Sequence, residues 1–277
     1  MDISVRLYED AQSFSTAAGE FMLSRSVLHN LVLTIVDGRL RRAEPGRYWI
    51  AFRGGRVAGV VLQSPLTYPA TVIPMDPDVI GALVNAIASN GVVLPGVNGE
   101  AATAATFAGQ WTERCKSAAF PIQGLRLYEL VELNGKGLIA GELRNADAGD
   151  RDLAVAWLLA FYAETHTPES GAEAFIDASL ASGHLWLWQA DSVVSMAVSS
   201  RPIQGMTRVS AVYTPPENRK RGYAAACVYG VSKHFTEAGY RCILYTDLGN
   251  PISNSIYRRI GYRATAEAIQ YRFDHID

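Results

Sequence analysis

The chain has 277 residues, 49% hydrophobic and 19% charged, with 25 Lys+Arg against 27 Asp+Glu, a net charge of −2 and a pI near 6.2. That length fits two domains with a core each, and the composition excludes a long disordered tail. The near-neutral balance excludes a global field that would recruit nucleic acid or an anionic membrane, so any phosphate site has to be local.

The N-terminus lacks a charged-then-apolar leader, and no apolar run reaches the about 18 residues that suggest a bilayer span. Cys115, Cys227 and Cys242 are odd in number and lack C-x-x-C spacing. This argues against a disulfide framework and a zinc site, so no metal is expected and a reducing, cytoplasmic setting fits best.

Along the chain, Trp49–Phe52, the turn Arg53-Gly54-Gly55-Arg56 and Val57–Leu62 read as a hairpin followed by Pro65. Ala70–Ile73 adds a strand, and Ile80–Ala88 reads as a helix. A polar, glycine-rich stretch at Asn134–Gly137 divides the chain into 1–137 and 138–277. In the second part, Leu153, Trp157, Ala160 and Phe161 recur at helical spacing, and Ala172–Leu180 is a further helical segment.

A second hairpin follows, Leu185–Gln189 and Val193–Val198, ahead of Pro202. The Trp-to-Pro spacing matches that of the first hairpin, Trp49 to Pro65 and Trp186 to Pro202. A strand at Arg208–Tyr213, then helix, strand and helix, repeat the order of the first part. Such a match marks an internal duplication. Lys220–Ala238 reads as a helix with Val228, Val231 and Phe235 on one stripe, closed by Gly239. Cys242–Thr246 is a short strand, Asn250-Pro251 opens the last helix, Gly261 ends it, and Ile269–Phe273 is a final strand.

The chemistry concentrates at Val212-Tyr-Thr-Pro-Pro-Glu-Asn-Arg-Lys-Arg-Gly-Tyr-Ala224, where a strand turns into a helix carrying Arg219-x-x-Gly222-x-Ala224. A first helical turn leaves N–H groups unpaired, and Gly222 and Ala224 keep side chains away, so an anion can approach closely. Arg219, Lys220 and Arg221 add cations, which suits a pyrophosphate. The plainer reading of this segment alone is a solvated helix start.

Asn250, Ser253 and Tyr257, ahead of Gly261-Tyr262, lie downstream. Together the two stretches resemble the motifs of the Gcn5-related N-acetyltransferase (GNAT) family, in the family's order. In the second of these motifs an Asn at a strand end is followed by a small residue three on and a Tyr seven on. The resemblance covers roughly Leu143–Asp277; the first part resembles the family in architecture. It implies an α/β (α+β) fold of two tandem GNAT-like domains, each a mixed, mostly antiparallel twisted sheet flanked by helices.

The resemblance further implies acetyl-CoA as the acyl donor. Val212, Tyr213 and Thr214 would pair with the pantetheine arm, and the backbone amides of Lys220, Arg221, Gly222, Tyr223, Ala224 and Ala225 would hold the pyrophosphate. Asn250 would touch the pantetheine, its plainer role being N-cap. Tyr257 would be the acid for the departing thiolate. The acceptor is then a small-molecule or peptide amine, with no nucleic acid or membrane partner and a monomer or homodimer as the assembly.

A general base is harder to place. Asp247 reads first as a turn residue, and Glu164 and His166 as a solvated loop, although either could line an acceptor site. Trp186 and Trp188 share one face of a strand, either core or a wall of the acceptor pocket. In the first part, Met75-Asp-Pro-Asp-Val79 puts carboxylates where a phosphate cradle would need cations, and Ala105 stands seven residues after Asn98. A degenerate copy is expected there, one that keeps the fold and shapes the acceptor pocket or an interdomain cleft. Two other classes remain open: an acyl-CoA sensor without turnover, and a transferase of this fold using an aminoacyl-tRNA donor.

Overall fold

The computed structural model describes residues 2–136, 139–165, 169 and 171–275. In chain order the first part runs β1 (Ile3–Tyr8), α1 (Ala11–Leu23), α2 (Asn30–Arg41), β2 (Arg47–Arg53), β3 (Arg56–Gln63) and β4 (Ala70–Val72). It continues through α3 (Pro77–Ser89), β5 (Gly96–Glu100), α4 (Ala101–Cys115) and β6 (Ser117–Leu130). The second part repeats that order with β7 (Glu142–Asn145), α5 (Arg151–Thr165), α6 (Ala172–Ala181), β8 (Leu185–Gln189), β9 (Val193–Ser199) and β10 (Met206–Tyr213). It ends with α7 (Tyr223–Glu237), β11 (Arg241–Asp247), α8 (Pro251–Ile260) and β12 (Tyr262–His275).

Two compact units result, one of Met1–Leu127, Asp247–Gly249 and Thr265–Asp277, the other of Tyr128–Thr246 and Asn250–Ala264. These units differ from halves cut at 137/138, because each part sends the end of its last strand elsewhere. Ala268–Arg272 of β12 pair antiparallel with Gly96–Glu100 of β5 in the first unit, while the end of β6 sits in the second unit, where Glu129 is bridged by Arg241 of β11 at 2.7 Å. The expected division itself falls on Gly137 and Leu138, which lie outside the described residues.

Within the first unit, β1, β2, β3 and β4 pair antiparallel in turn, and β4 runs parallel to β5. Its core gathers Trp49, Leu83, Phe107 and Trp111, with the Trp111 ring stacked on Phe273 at 5.8 Å. Burying such rings is the main term favouring the fold. The helices α1 and α2 have no counterpart in the sequence reading. In α1, Phe14, Ala18 and Met22 recur at helical spacing on a buried face, and Asp10 caps it by accepting from Ser13 N at 2.7 Å.

In the second unit β7, β8, β9 and β10 pair antiparallel and β10 runs parallel to β11. One sheet face carries Val194, Val209 and Leu244 against α7, including Val228, Val231 and Phe235. The other carries Leu187, Met196, Val198 and Tyr213 against Ala154 and Leu158 of α5 and Ile176 of α6. Trp186 and Trp188 belong to the α7 core, and Trp186 Nε1 donates to Ser199 Oγ at 2.9 Å. The core reading of these tryptophans is the one realised.

Candidate functional site

The second unit holds a cleft of about 930 Å³ where β10, α7 and α8 converge on the end of α5. Its construction starts in β10. Val209 is opposite Ser199 and Ser210 opposite Val198, but Tyr213 is opposite Met196, so β10 carries one residue more than β9. The extra residue forms a bulge in which Ala211 takes a left-handed φ of +47°, a conformation that costs a non-glycine residue and recurs at functional sites.

Beyond the bulge the parallel ladder to β11 stops. Pairing runs from Met206 with Arg241 to Val209 with Leu244 and goes no further. The strands part there, and Val212, Tyr213 and Thr214 line the opening. Ser195 Oγ donates to the Tyr213 carbonyl at 3.0 Å and bonds Thr214 Oγ1 at 2.9 Å, fixing the strand end from the β9 side.

The following turn brings the backbone back as a helix start. Lys220 has φ +61° and Gly222 φ +90°, so α7 begins at Tyr223 rather than at Lys220 as the sequence periodicity suggests. Left-handed residues on either side of Arg221 turn the chain sharply into the first turn of α7. The first intrahelical bond is Ala226 N to Gly222 O, which leaves the amides of Tyr223, Ala224 and Ala225 without helical acceptors. A Cβ placed on Gly222 meets nothing within 4 Å, so the space before these amides is open. Lys220, Gly222, Tyr223, Ala224 and Ala225 all border the cleft, whereas Arg221 is exposed and not among its lining residues.

Arg219 lines the cleft but is committed to protein. Its Nε donates to the Thr214 carbonyl at 2.8 Å, its Nη2 to Glu164 at 2.6 Å, and its guanidinium lies 5.6 Å from the Tyr213 ring centre. Its pKa is raised, first by the hydrogen bond to Glu164. Arg219 therefore braces the turn, and Glu164, expected in a solvated loop, is the other half of the brace. His166 lies outside the described residues.

On the opposite wall, Asn250 Oδ1 accepts from Ser253 N at 3.0 Å, the N-cap role, while the same residue borders the cleft. Seven residues on, two helical turns away and so on nearly the same side of α8, Tyr257 also lines it. Tyr257 is otherwise buried between Tyr128 and Tyr262, with ring centroids at 6.4 and 6.2 Å. Burial, followed by the neighbouring Cys227 thiol, pushes its phenol up to about 12, so it is a neutral proton donor at physiological pH. Asp247 accepts from Gly249 N at 2.6 Å as a turn residue and does not border the cleft.

Sequence reading missed Asn134, Lys136 and Arg259, which also line the cleft. Asn134 N donates to the Ile260 carbonyl at 2.7 Å, so the glycine-rich stretch read as a divider is folded onto α8. Periodicity carries no signal for such a loop. Among the described residues no group of three metal-ligating side chains is present, and no helix is long and apolar enough to cross a membrane.

The first unit shows what the same element order gives without these features. There β4 pairs with β5 along its whole length, Ala70–Val97 to Val72–Gly99. A Cβ on Gly99 would stand 2.2 Å from the Val72 carbonyl oxygen, so the strands are shut where β10 and β11 open. At the start of α3, Asp76 and Asp78 are both held by Arg53. The cap of α4 is Glu100, accepting from Ala102 N and Thr103 N at 3.1 and 2.9 Å. The counterpart of Asn250 is therefore Glu100 rather than Asn98, and that of Tyr257 is Phe107 rather than Ala105.

Residues 192–271 match a family model described as FR47-like protein. An acetyltransferase of the GNAT family from Colwellia psychrerythraea has a similar solved structure, with TM-score 0.66 and 10% identity over 98% of this chain and 100% of that one. A Gcn5-related N-acetyltransferase from Sphaerobacter thermophilus gives TM-score 0.61 and 16% identity over 99% and 97%. A tandem GNAT protein from the clavulanic acid biosynthesis pathway gives 0.58 and 12% over 98% of both. No curated protein matches in sequence. At these identities the likeness is one of fold, and the fold is that of the Gcn5-related N-acetyltransferases. The repeated element order places it twice in this chain.

Proposed function

We propose that the chain is an acyl-CoA-dependent N-acyltransferase, most simply an acetyltransferase acting on a primary amine, with its active site in 138–277 and a degenerate copy in 1–137. The observation that carries this reading is the coincidence, in one cleft, of an opened parallel strand pair, an unobstructed helix start and a neutral buried phenol.

These residues fit coenzyme A. The amides of Tyr223–Ala225 and the Lys220 ammonium suit its pyrophosphate, while Lys136 and Arg259 supply cations elsewhere on the rim. Val212–Thr214, released from β11, can pair with an extended amide-bearing arm as a strand would. Acetyl-CoA, when bound, supplies an activated thioester. The acceptor's free amine would attack the thioester carbonyl carbon while the Val212 N–H holds the carbonyl oxygen and Asn250 the arm. The C–S bond would then break, Tyr257 would protonate the departing sulfur, and the proton shed by the amine would return to Tyr257 through solvent.

A non-catalytic acyl-CoA sensor has no need of the buried phenol at Tyr257, and the open cradle supports an acyl-CoA donor rather than an aminoacyl-tRNA. A reducing, cytoplasmic setting is part of this reading, supported by the free thiols of Cys115, Cys227 and Cys242. Release of free coenzyme A thiol from acetyl-CoA across a panel of amines tests the proposal. Amine-dependent release supports it, and tight acetyl-CoA binding with no release for any amine leaves the sensor.

A further inference from the structure

Arg208 lies in β10 where the strand is still paired to β11, opposite Ile243 in register. Two sheet faces are distinguished here by their cores. Val209 and Leu244 face α7, so the neighbours Arg208, Ser210 and Tyr245 face the α5 side. Ser210 confirms the assignment, being directly opposite Val198, which packs in the α5 and α6 core. That face leads along β10, past the bulge at Ala211, to Tyr213 and the α5 residues Phe161 and Glu164 of the cleft; Arg208 itself lies short of the lining, four residues before Val212.

Arg208 is half-buried, and among the described residues no carboxylate pairs with its guanidinium. Arginines elsewhere in the chain are paired, Arg53 with Asp76 and Asp78, Arg219 with Glu164, and Arg241 with Glu129. Burial lowers the pKa of Arg208, and the titratable group nearest it on this face is the Tyr245 phenol, neutral at physiological pH. A partly desolvated guanidinium without a counter-ion is costly, and a fold retains one most readily where a ligand supplies the missing negative charge.

We infer that Arg208 is a specificity-determining residue that receives the carboxylate of the acceptor, so that the acceptor is an amine bearing a carboxylate. This rests on the transferase reading above. One guanidinium, with the Ser210 and Tyr245 hydroxyls on the same face, matches the single charge of a carboxylate and would leave a phosphate dianion under-neutralised. The amine would be presented toward the opened strand pair, and the carboxylate back along β10.

The test compares α- and ω-amino acids of increasing length with their carboxamides, in wild type and Arg208→Gln, by thiol release from acetyl-CoA. In wild type, at least one amino acid is expected to exceed its carboxamide in kcat/KM by about a hundredfold. Arg208→Gln should abolish that preference chiefly through KM, with far less effect on the carboxamide, no change in the acetyl-CoA Kd, and a Tm no lower than wild type because a costly buried charge is removed. Arg208→Lys should restore part of it. Equal use of acids and amides by wild type overturns the inference while leaving the transferase standing, as does an equal loss for both acceptors in Arg208→Gln. Absence of acetyl-CoA binding to wild type overturns both.

Discussion

Glu164, in the last turn of α5, accepts from Arg219 Nη2 at 2.6 Å, so the turn that precedes α7 is tied across the cleft mouth to a different helix. Both side chains are substantially exposed, which limits the direct worth of the pair to under about 1 kcal/mol. Its consequence is positional, because Arg219 also holds the Thr214 carbonyl at 2.8 Å. Arg219→Ala is expected to leave Tm within a few degrees of wild type and to weaken acetyl-CoA about tenfold. Glu164→Gln should weaken it less. Calorimetric Kd values and melting curves check the pair of effects, and a large Tm loss without a change in Kd contradicts them.

Tyr257→Phe keeps the ring between Tyr128 and Tyr262 and removes only the hydroxyl. As a proton donor to the leaving sulfur, that hydroxyl is worth about a hundredfold in kcat. The acetyl-CoA Kd should change by less than about twofold. Steady-state kinetics beside titration calorimetry separate the two, and equal losses in both contradict an acid role.

Gly222 has φ +90° with open space around the site of a Cβ. Gly222→Ala therefore carries only the left-handed backbone cost, about 1–2 kcal/mol. Because the strain falls on the turn that aims the first α7 amides, acetyl-CoA affinity should drop by tenfold or more while Tm falls about 2–4 °C. Unchanged affinity would show that these amides do not bind the donor.

Burial pushes the Cys227 and Cys242 thiols from 9.0 up to about 12. A raised folded value means that the folded chain keeps the proton longer, so the contribution is complete below the unfolded value and is lost as pH rises through the folded one. Thermal stability should be level up to about pH 8.5 and fall from about pH 9 towards 12, with Tyr257 adding to the loss above about pH 10. A Tm series across that range checks the window, and a fall complete before about pH 9 contradicts it.

The fold of the second part was legible because local rules coincide there: the hairpin spacing, the Asn250-Pro251 cap, Gly261 with φ +118°, and the Arg219-x-x-Gly222-x-Ala224 turn. The exchange of strand ends between β6 and β12 was not, since long-range pairing leaves no periodic trace in either segment. Residues 134–136 read as a divider because glycine and polar residues mark loops without telling where a loop packs. The role of Arg219 was half legible. Its charge suggested an anion, but only the folded chain brings Glu164, 55 residues earlier, within reach. In the first part the charges of Asp76 and Asp78 were legible and the full β4–β5 pairing was not, while the counterpart of Asn250 moved to Glu100 once the cap itself was visible.

Titration calorimetry of the wild-type chain with acetyl-CoA tests the central claim most directly. The opened β10–β11 pair and the shut β4–β5 pair predict one site per chain, with Kd between about 1 μM and 1 mM. Two sites per chain, or no heat of binding at millimolar acetyl-CoA, would contradict it.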